Sequence, residues 1–380
     1  AFRPDSDAWG LNFFREYRQR LETQVWSSEG RQQFKESPAF AGTLYGLSGM
    51  DQGLGLDVVP SVTIQKTRDF TTSEEDTTFE PSLDLAYRLT PSLTGRLTLN
   101  TDFAATVVDD RQVNLSRFSL FFPERREFFL QDAGIFEFAR LDRNGRPFFS
   151  RTIGLTPENE PLNLNYGGKL TGRVGAWNIG LLAVQQEESE LLEERDAVVA
   201  RVTRNVLSGS SIGILVTDGD PQNDRDARTL SADFRYRNDT FLGNKILQGE
   251  AWVQQTDNAA IPGEDPPGGD DTAWGVRLEY PDDRQRIAAR YYVFGEDFDP
   301  AMGFANRTGI DELTLDYRYR FRPTGGRLLK TDHSIRYSNI ESTVNDELSR
   351  SLRLELVKLE TLAGDEWELF LRREREVLVE

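Results

Sequence analysis

Apolar and polar residues alternate with a period of two over most of the chain. In residues 313–321 the odd-numbered positions hold Leu, Leu, Tyr, Tyr and Phe, and the positions between them hold Thr, Asp and Arg. Residues 83–89, 274–280 and 287–293 follow a similar pattern. Successive side chains of a β-strand point to opposite faces of the sheet, so this period predicts strands with one apolar face and one polar face.

Two kinds of connection separate the predicted strands. The short turns are residues 91–92, 175–176, 282–283 and 325–326, and the long polar loops are residues 187–196, 218–228 and 256–271. Short turns at one rim and long loops at the other are typical of outer-membrane barrels. The pattern gives about 14 to 16 strands, many of about 9 to 12 residues, the length that a tilted membrane-spanning strand needs. We therefore predict an all-β fold, an antiparallel up-and-down transmembrane β-barrel.

Residues 1–40 do not continue this pattern. They contain one alternating stretch, from Trp9 to Phe13, followed by a charged segment without turn residues. We interpret them as the end of a preceding domain and a linker, and residues 41–380 as the barrel. The chain ends at Glu380 without the terminal aromatic residue that is usual in outer-membrane barrels, which favours a barrel truncated at its C-terminal end.

Composition narrows the classes of function. Hydrophobic residues make up 38% of the chain and aromatic residues 11%, as expected if only alternate strand positions face lipid. A large soluble β-sandwich or solenoid would have a similar composition. The net charge of −18 argues against nucleic acid as a partner, because neutralising phosphates requires a basic surface. The absence of cysteine excludes disulfides and thiolate metal sites, and no apolar run is long enough for a transmembrane helix.

Residues 100–154 combine many phenylalanines with arginines and acids. Buried charges need partners, so we expect a charge network in the barrel lumen. Its predicted members are Asp102, Asp109, Asp110, Arg111, Arg117, Glu124, Arg125, Arg126 and Arg151. Proline cannot occupy the middle of a strand ladder, so the run around Pro123 is predicted to fold inward, or to lie on the periplasmic side, as an aromatic plug motif. The motif consists of Phe121, Phe122, Pro123, Phe128 and Phe129.

The sequence predicts no catalytic residue, metal site or cofactor. His333 is the only histidine and cysteine is absent, so the common zinc sites cannot form and we expect an ordinary strand residue there. The acids of residues 102–110 lack the Asp-x-Asp-x-Asp-Gly pattern of a calcium loop. Aromatic residues within or at the ends of strands are predicted to form an interfacial girdle. They are Trp177, Trp252, Trp274, Trp367, Tyr280, Tyr291, Tyr317 and Tyr319.

Four stretches carry a resemblance to one family. They are residues 100–136, FFSRTIG at 148–154, GGKLTGRVGAWNIGLL at 167–182 and GEDFDPAMGFANRTG at 295–309. In these stretches the chain resembles the uncharacterised outer-membrane β-barrel domain found C-terminal to a family 9 carbohydrate-binding module in Gram-negative envelope proteins. The resemblance implies a location in the outer membrane but no established reaction or substrate. It also implies that residues 1–40 are the end of the module and its linker, while Val107, Val108 and Thr152 depart from the family pattern.

Three functions stay open. The first is a non-enzymatic outer-membrane barrel that acts as a pore, a conduit or the membrane anchor of a periplasmic carbohydrate-binding domain. The second is an envelope- or glycan-degrading hydrolase that uses carboxylates in residues 102–110, and the third is a soluble all-β carbohydrate-binding module. The first predicts outer-membrane lipid, lipopolysaccharide, the barrel-assembly machinery and glycans as partners.

Overall fold

The structure is a computed structural model that describes residues 6–20, 22–28, 41–47, 54–68, 75–101, 121–156, 162–189, 192–263, 266–343 and 347–377. Its strands are β1 (Ala8–Leu11), β2 (Phe14–Tyr17), β3 (Glu22–Val25), β4 (Gly42–Tyr45), β5 (Leu56–Arg68), β6 (Glu75–Thr90), β7 (Leu93–Thr101), β8 (Leu164–Val174), β9 (Trp177–Gln186), β10 (Arg195–Val206), β11 (Ser210–Asp218), β12 (Ala227–Phe241), β13 (Lys245–Asn258), β14 (Thr272–Pro281), β15 (Gln285–Phe294), β16 (Ile310–Phe321), β17 (Leu328–Ser342), β18 (Glu347–Thr361) and β19 (Glu366–Glu376). The helix α1 is Glu127–Leu130, and short 3-10 turns lie at Arg18–Arg20, Ala133–Phe136 and Ser150–Thr152. No helix in the described part of the chain is long and apolar enough to cross a membrane.

Strands β5 to β19 form one 15-stranded antiparallel sheet in which each strand pairs with the next along the chain. This is the all-β, up-and-down architecture that the period of two predicts, with a strand number inside the predicted range. Near the N-terminus, β1 pairs with β4 and β2 pairs with β3 in two small separate sheets. Residues 8–25 thus contain three strands where the sequence predicted one. The first of them, β1, pairs with β4, which lies beyond residue 40, the predicted end of the N-terminal region.

Because consecutive strands run in opposite directions, their connections alternate between two rims of the sheet. One rim carries short turns at residues 91–92, 175–176, 207–209, 242–244 and 282–284. The other rim carries the long connections at residues 102–163, 187–194, 219–226, 259–271 and 295–309. The predicted separation of short turns from long loops therefore holds from β6 to β16, whereas the last three connections, 322–327, 343–346 and 362–365, are similar in length on both rims.

The two faces of the sheet differ sharply in what they expose. On the outer face apolar side chains meet solvent, among them Ile214 (54% exposed) and Leu278 (55%). On the inner face polar side chains are buried, among them Thr229 (1%) and Gln254 (0%). A water-soluble protein has the opposite distribution, because burial of apolar area is favourable and burial of polar groups carries a cost.

Residues 121–156, here termed the inserted segment, lie against the inner face and explain its burial. Phe128 lies beside Gly167 of β8, and Phe138 packs on Trp252 of β13 with 6.4 Å between ring centroids. Further along, Arg146 bridges to Phe304, beyond β15. The segment therefore crosses the inner face from β8 to β13 and reaches the loop after β15, and the sheet curves around it as in a β-barrel. The apolar core lies inside the curve, between the inserted segment and the sheet.

Candidate functional site inside the curved sheet

The inserted segment is first held by an ion pair within itself. The Glu124 carboxylate accepts hydrogen bonds from Nε (2.8 Å) and Nη2 (2.7 Å) of Arg126, and from Oγ of Ser150 (2.7 Å). The Arg126 guanidinium also donates to the carbonyl oxygens of Ser150 (2.7 Å) and Ile153 (2.5 Å), and it stacks on Phe129. This pair therefore closes residues 124–153 into a loop whose two ends lie together.

The environment of Glu124 fixes its charge. Burial alone would raise the pKa of the carboxyl group, but the hydrogen bonds and positive charge of Arg126, with the Ser150 hydrogen bond, outweigh it. The net result is a pKa below the ordinary value of 4.5. Glu124 is thus an anion at neutral pH and a partner for the buried guanidinium rather than a proton donor.

Side chains of strand β8 form hydrogen bonds with the C-terminal end of helix α1. Lys169 Nζ donates to the carbonyl oxygens of Phe128 and Gln131, the latter at 2.7 Å, and lies 5.1 Å from the centroid of the Phe128 ring. Two residues further along the same face, Thr171 Oγ1 donates to Asp132 Oδ2 at 2.8 Å. The last carbonyl groups of a helix lack partners within the helix, so a strand lysine supplies them here.

A second contact between the sheet and the inserted segment lies at β10 and β12. Arg201 Nη1 is 2.6 Å from Asp233 Oδ1, and both side chains are almost completely buried. Arg201 Nη2 donates to the carbonyl oxygen of Glu137 at 3.3 Å, and its guanidinium lies over the ring of Phe138. The backbone N–H of Ala139 donates to Asp233 Oδ2 at 3.4 Å. The pair therefore holds both the strands and the middle of the inserted segment.

The C-terminal half of the inserted segment is fixed through its backbone. Gln254 Nε2 on β13 donates to the carbonyl oxygen of Gly145 at 2.7 Å. Arg146 and Phe304 exchange two backbone hydrogen bonds of 3.1 and 2.9 Å, and the N–H of Phe149 donates to the carbonyl oxygen of Met302 at 2.8 Å. The rings of Phe121, Phe149 and Phe304 form one cluster. Residues 121–156 are thereby anchored at both ends and in the middle.

The structure brings together part of the predicted network. Glu124 and Arg126 pair with each other, and Phe121, Phe128 and Phe129 pack in the interior. Phe122 and Arg151 are half-buried and Pro123 is exposed, while the Arg125 N–H donates to Glu124. Five predicted members lie outside the described residues, so the hydrolase alternative, which depends on three of them, stays a prediction. They are Asp102, Asp109, Asp110, Arg111 and Arg117.

The prediction of an interfacial aromatic girdle is wrong for one of its residues, Trp252. Trp177, Trp274 and Tyr317 are exposed on the outer face, but Trp252 is 5% exposed and lies inside. It shares the inner face of β13 with Glu250 and Gln254, because alternate residues of a strand lie on one face, and it packs there against the aromatic core of the inserted segment. His333 lies within β17, as predicted, with Nδ1 2.5 Å from the carbonyl oxygen of Leu356.

Sequence analysis missed the strand residues that contact the inserted segment: Lys169, Arg201, Asp233, Gln254 and Glu250, whose Oε1 lies 3.3 Å from Nε of Arg140. Each lies on a polar face of an alternating strand, which was a usable signal for an inward position. Nothing local indicates which of the many polar inner positions contact the inserted segment, because that depends on how β8, β10, β12 and β13 are placed relative to one another. Among the described residues, no group of three or more His, Cys, Asp or Glu side chains is placed to hold a metal ion.

The inserted segment leaves open space beside β14 to β17. A cavity of about 540 Å³ is lined by Asp142, Arg143, Asn144, Arg290, Tyr292 and Glu312. A neighbouring cavity of about 340 Å³ shares Asp142 and Arg290 with it and extends along β14 to β17 past Arg277, Arg286, Asp316 and Arg336. The interior is therefore filled on one side and open on the other.

Comparisons with known proteins add the following. Among solved structures the chain is similar to OccAB2 of Acinetobacter baumannii, with 10% sequence identity over 87% of this chain and 84% of that chain and a TM-score of 0.41. It is also similar to OpdQ of Pseudomonas aeruginosa, with 12% identity over 86% and 85% of the two chains and a TM-score of 0.37. TM-scores this low carry no weight, so the fold assignment rests on strand pairing. No curated protein matches the chain. The family described as "Domain of unknown function (DUF5916)" matches residues 54–175, an interval that includes the whole inserted segment and strand β8, which contacts it.

Proposed function

We propose that the chain is an outer-membrane β-barrel protein of a Gram-negative bacterium, a solute conduit whose lumen is narrowed by the inserted segment. The observation that supports this proposal is that the sheet exposes apolar side chains and buries polar ones, the reverse of a soluble protein. Its outer face exposes Ile212, Ile214, Leu230, Val276 and Leu278, and its inner face buries Asp233, Glu250 and Glu279. Soluble proteins rarely expose so continuous an apolar surface, and such surfaces mark membrane or protein contacts. An apolar outside around a polar inside is what a lipid-embedded barrel requires.

Strand length supports the same proposal. Strands β5 to β19 contain 9 to 16 residues each. A strand tilted in a bilayer needs about 9–11 residues to cross the hydrocarbon layer. Each strand of the sheet is therefore long enough to span an outer membrane.

The two rims suggest an orientation. In bacterial barrels the short turns face the periplasm and the long loops face outward. The connection from β5 to β6 lies on the long-loop rim, so β5 begins on the short-turn rim. Residues that precede Leu56 then emerge in the periplasm, where a carbohydrate-binding domain joined through residues 1–40 would lie. The inserted segment, which joins β7 to β8, would enter the lumen from the outer rim.

A conduit accounts for the interior better than a sealed anchor. The inserted segment contacts the sheet from β8 to β15, but cavities remain beside β14 to β17. Those cavities are lined by charged side chains, as expected for a water-filled passage rather than an apolar core. The lumen is thus constricted but not packed shut.

The deciding experiment compares the full chain with and without amphiphile. We expect folded protein only in detergent or lipid vesicles, altered electrophoretic mobility before and after boiling, and small stepwise conductance in planar bilayers. A chain that stays monomeric and folded without any amphiphile would refute the membrane assignment. A chain that inserts but never conducts would leave the anchor role and refute the conduit.

A further inference from the structure

We propose that the two joined cavities beside β14 to β17 form a binding site for a small hydroxylated carboxylate, such as a sugar acid. This inference deepens the proposed conduit and rests on it, since the site would lie on the path through the lumen. The cavities measure about 540 and 340 Å³ and share the side chains of Asp142 and Arg290. Small-molecule sites usually enclose roughly 300–1,000 Å³, so the space suits a ligand of one or two sugar rings.

The charge of the lining is opposite to that of the whole chain. Although the net charge is −18, the cavity walls carry more guanidinium groups than carboxylates. The arginines of the two linings are Arg143, Arg277, Arg286, Arg290 and Arg336. The acids are Asp142, Glu312 and Asp316. An acidic protein that lines its interior cavity with arginine creates a local preference for anions.

Acids hold the strand arginines of the lining in place, and Arg336 is one of them, with Nε 2.9 Å from Asp316 Oδ2. Arg277 and Arg286 share a single carboxylate, Glu279, at 2.9 and 2.8 Å. Arg290 bonds Glu312 at 2.6 Å and lies 3.7 Å from Asp142, and its guanidinium stacks near Tyr292. A guanidinium carries five N–H donors, and these ion pairs use only some of them. The remaining donors can meet an incoming carboxylate, which a guanidinium binds through two parallel hydrogen bonds.

The acids in the lining explain why the ligand should also carry hydroxyl groups. A carboxylate accepts hydrogen bonds only, so Glu312 and Asp316 can accept hydrogen bonds from hydroxyl groups but would repel a ligand whose oxygens are all negatively charged. Asn144 cannot add to this recognition, because its side chain is fixed by the backbone of Asn306 and Arg307. Mixed guanidinium and carboxylate walls therefore suit a polyhydroxy acid better than inorganic phosphate or a neutral sugar.

The test is calorimetric titration of the full chain in detergent with D-glucuronate, D-glucose and inorganic phosphate. We expect glucuronate to bind at least tenfold more tightly than either of the other two. Arg290→Gln should weaken glucuronate binding at least tenfold, and Glu312→Gln should strengthen it. The double variant Arg290→Gln/Glu312→Gln removes both members of the pair and should also bind weakly, even if the single arginine variant folds poorly.

Arg228→Gln is the matched control, because Arg228 is also paired with an aspartate, Asp218, but lies exposed at the loop rim. It should leave glucuronate binding unchanged. Equal binding of glucose, or of phosphate, would overturn the ligand class, and glucuronate binding that survives Arg290→Gln and the double variant would overturn the site. These outcomes differ from failure of the proposed function, since a chain that conducts but does not bind glucuronate contradicts only this inference.

Discussion

Arg201 on β10 reaches across strand β11 to Asp233 on β12, with 2.6 Å between Nη1 and Oδ1. The strand between them carries Gly213, which pairs directly with Asp233 in the ladder. A Cβ atom at Gly213 would lie 2.8 Å from Nη1 of Arg201, closer than real Cβ contacts allow. Because Gly213 has no side chain, β11 leaves room for the Arg201 guanidinium to reach Asp233. That pair in turn holds the inserted segment to the inner face.

Removal of the arginine alone should destabilise the protein strongly. In Arg201→Met the carboxylate of Asp233 stays buried, and it keeps the Ala139 N–H at 3.4 Å and the positive charge of Arg235, whose Nε lies 3.8 Å away. Breaking a buried pair in this way costs about 3–5 kcal/mol, whereas replacing both members with apolar residues is often neutral. We therefore expect Arg201→Met to lower the free energy of unfolding in urea, and Arg201→Met/Asp233→Leu to recover most of it.

The exposed pair of Arg228 and Asp218 provides the control for this cycle. Both side chains are more than half exposed, so the equivalent single and double variants should change the free energy of unfolding by less than about 1 kcal/mol. A double variant at Arg201 and Asp233 that remains as unstable as the single variant would show that shape, not charge, makes this contact important.

The attachment of the inserted segment should weaken in acid. The pKa of Glu124 is lower in the folded protein than its ordinary value of 4.5, so the folded state favours the ionised carboxylate. The stability that this gives is fully present above that value and is lost as pH falls through the lower, folded pKa. Urea unfolding at a series of pH values from about 6 down to about 3.5 should show this loss in the wild-type chain and a smaller one in Glu124→Gln.

Glu127 is the natural comparison for Glu124, since it lies three residues away, is exposed and accepts a side-chain hydrogen bond from Gln131. Glu127→Gln should leave the acid-dependent loss as large as in the wild-type chain. An identical pH profile for wild type and Glu124→Gln would mean that other carboxylates control the acid response.

The architecture was predictable from the sequence because a period of two is a local property. The alternation in residues 313–321 predicts both the strand and its two faces without knowledge of the neighbouring strands. Turn residues then mark where each strand ends, so strand order in an up-and-down sheet follows from chain order. The pair of Glu124 and Arg126 was accessible for the same reason, since its members are two residues apart.

The strand residues that contact the inserted segment were not predictable, because their positions in space depend on how separate strands are arranged. Arg201 and Asp233 are separated by a whole strand, and their meeting requires the register of β10, β11 and β12 together with a glycine at one position. Trp252 shows the same limit, since it lies on an otherwise polar face and its aromatic partners there, Phe138, Tyr292 and Phe294, come from distant parts of the chain. Alternation identifies two faces, but only packing decides what fills the inner one.

The bend at Gly145 should tolerate no side chain. Its φ of +79° lies in the left-handed region, and a Cβ atom there would overlap the ring of Phe294. Gly145→Ala should therefore cost about 1–3 kcal/mol in the free energy of unfolding. Gly134 in the same inserted segment has an ordinary φ and open space around its Cβ position, so Gly134→Ala should be neutral or slightly stabilising. Similar urea midpoints for the two alanine variants would contradict the packing at Gly145.

A charge on the outer face should separate a membrane protein from a soluble one, because the two predict opposite effects. Ile214 lies at the centre of β11 and is 54% exposed, so in water Ile214→Arg would be harmless or would improve solubility. At the middle of a bilayer an outward arginine costs about 2–4 kcal/mol, and the cost falls towards zero near the interfaces. We therefore expect Ile214→Arg to fold poorly into lipid vesicles, with a reduced free energy of unfolding there.

Leu207 makes the matched position for this experiment, since it is 76% exposed in the turn between β10 and β11, at the rim rather than at mid-depth. Leu207→Arg should fold into vesicles as well as the wild-type chain, because its side chain can reach the headgroups and water. Equal folding yields for both arginine variants would mean that the apolar face does not meet lipid. A penalty that grows from the turn towards the centre of the strand would instead trace the depth of the hydrocarbon layer along β11.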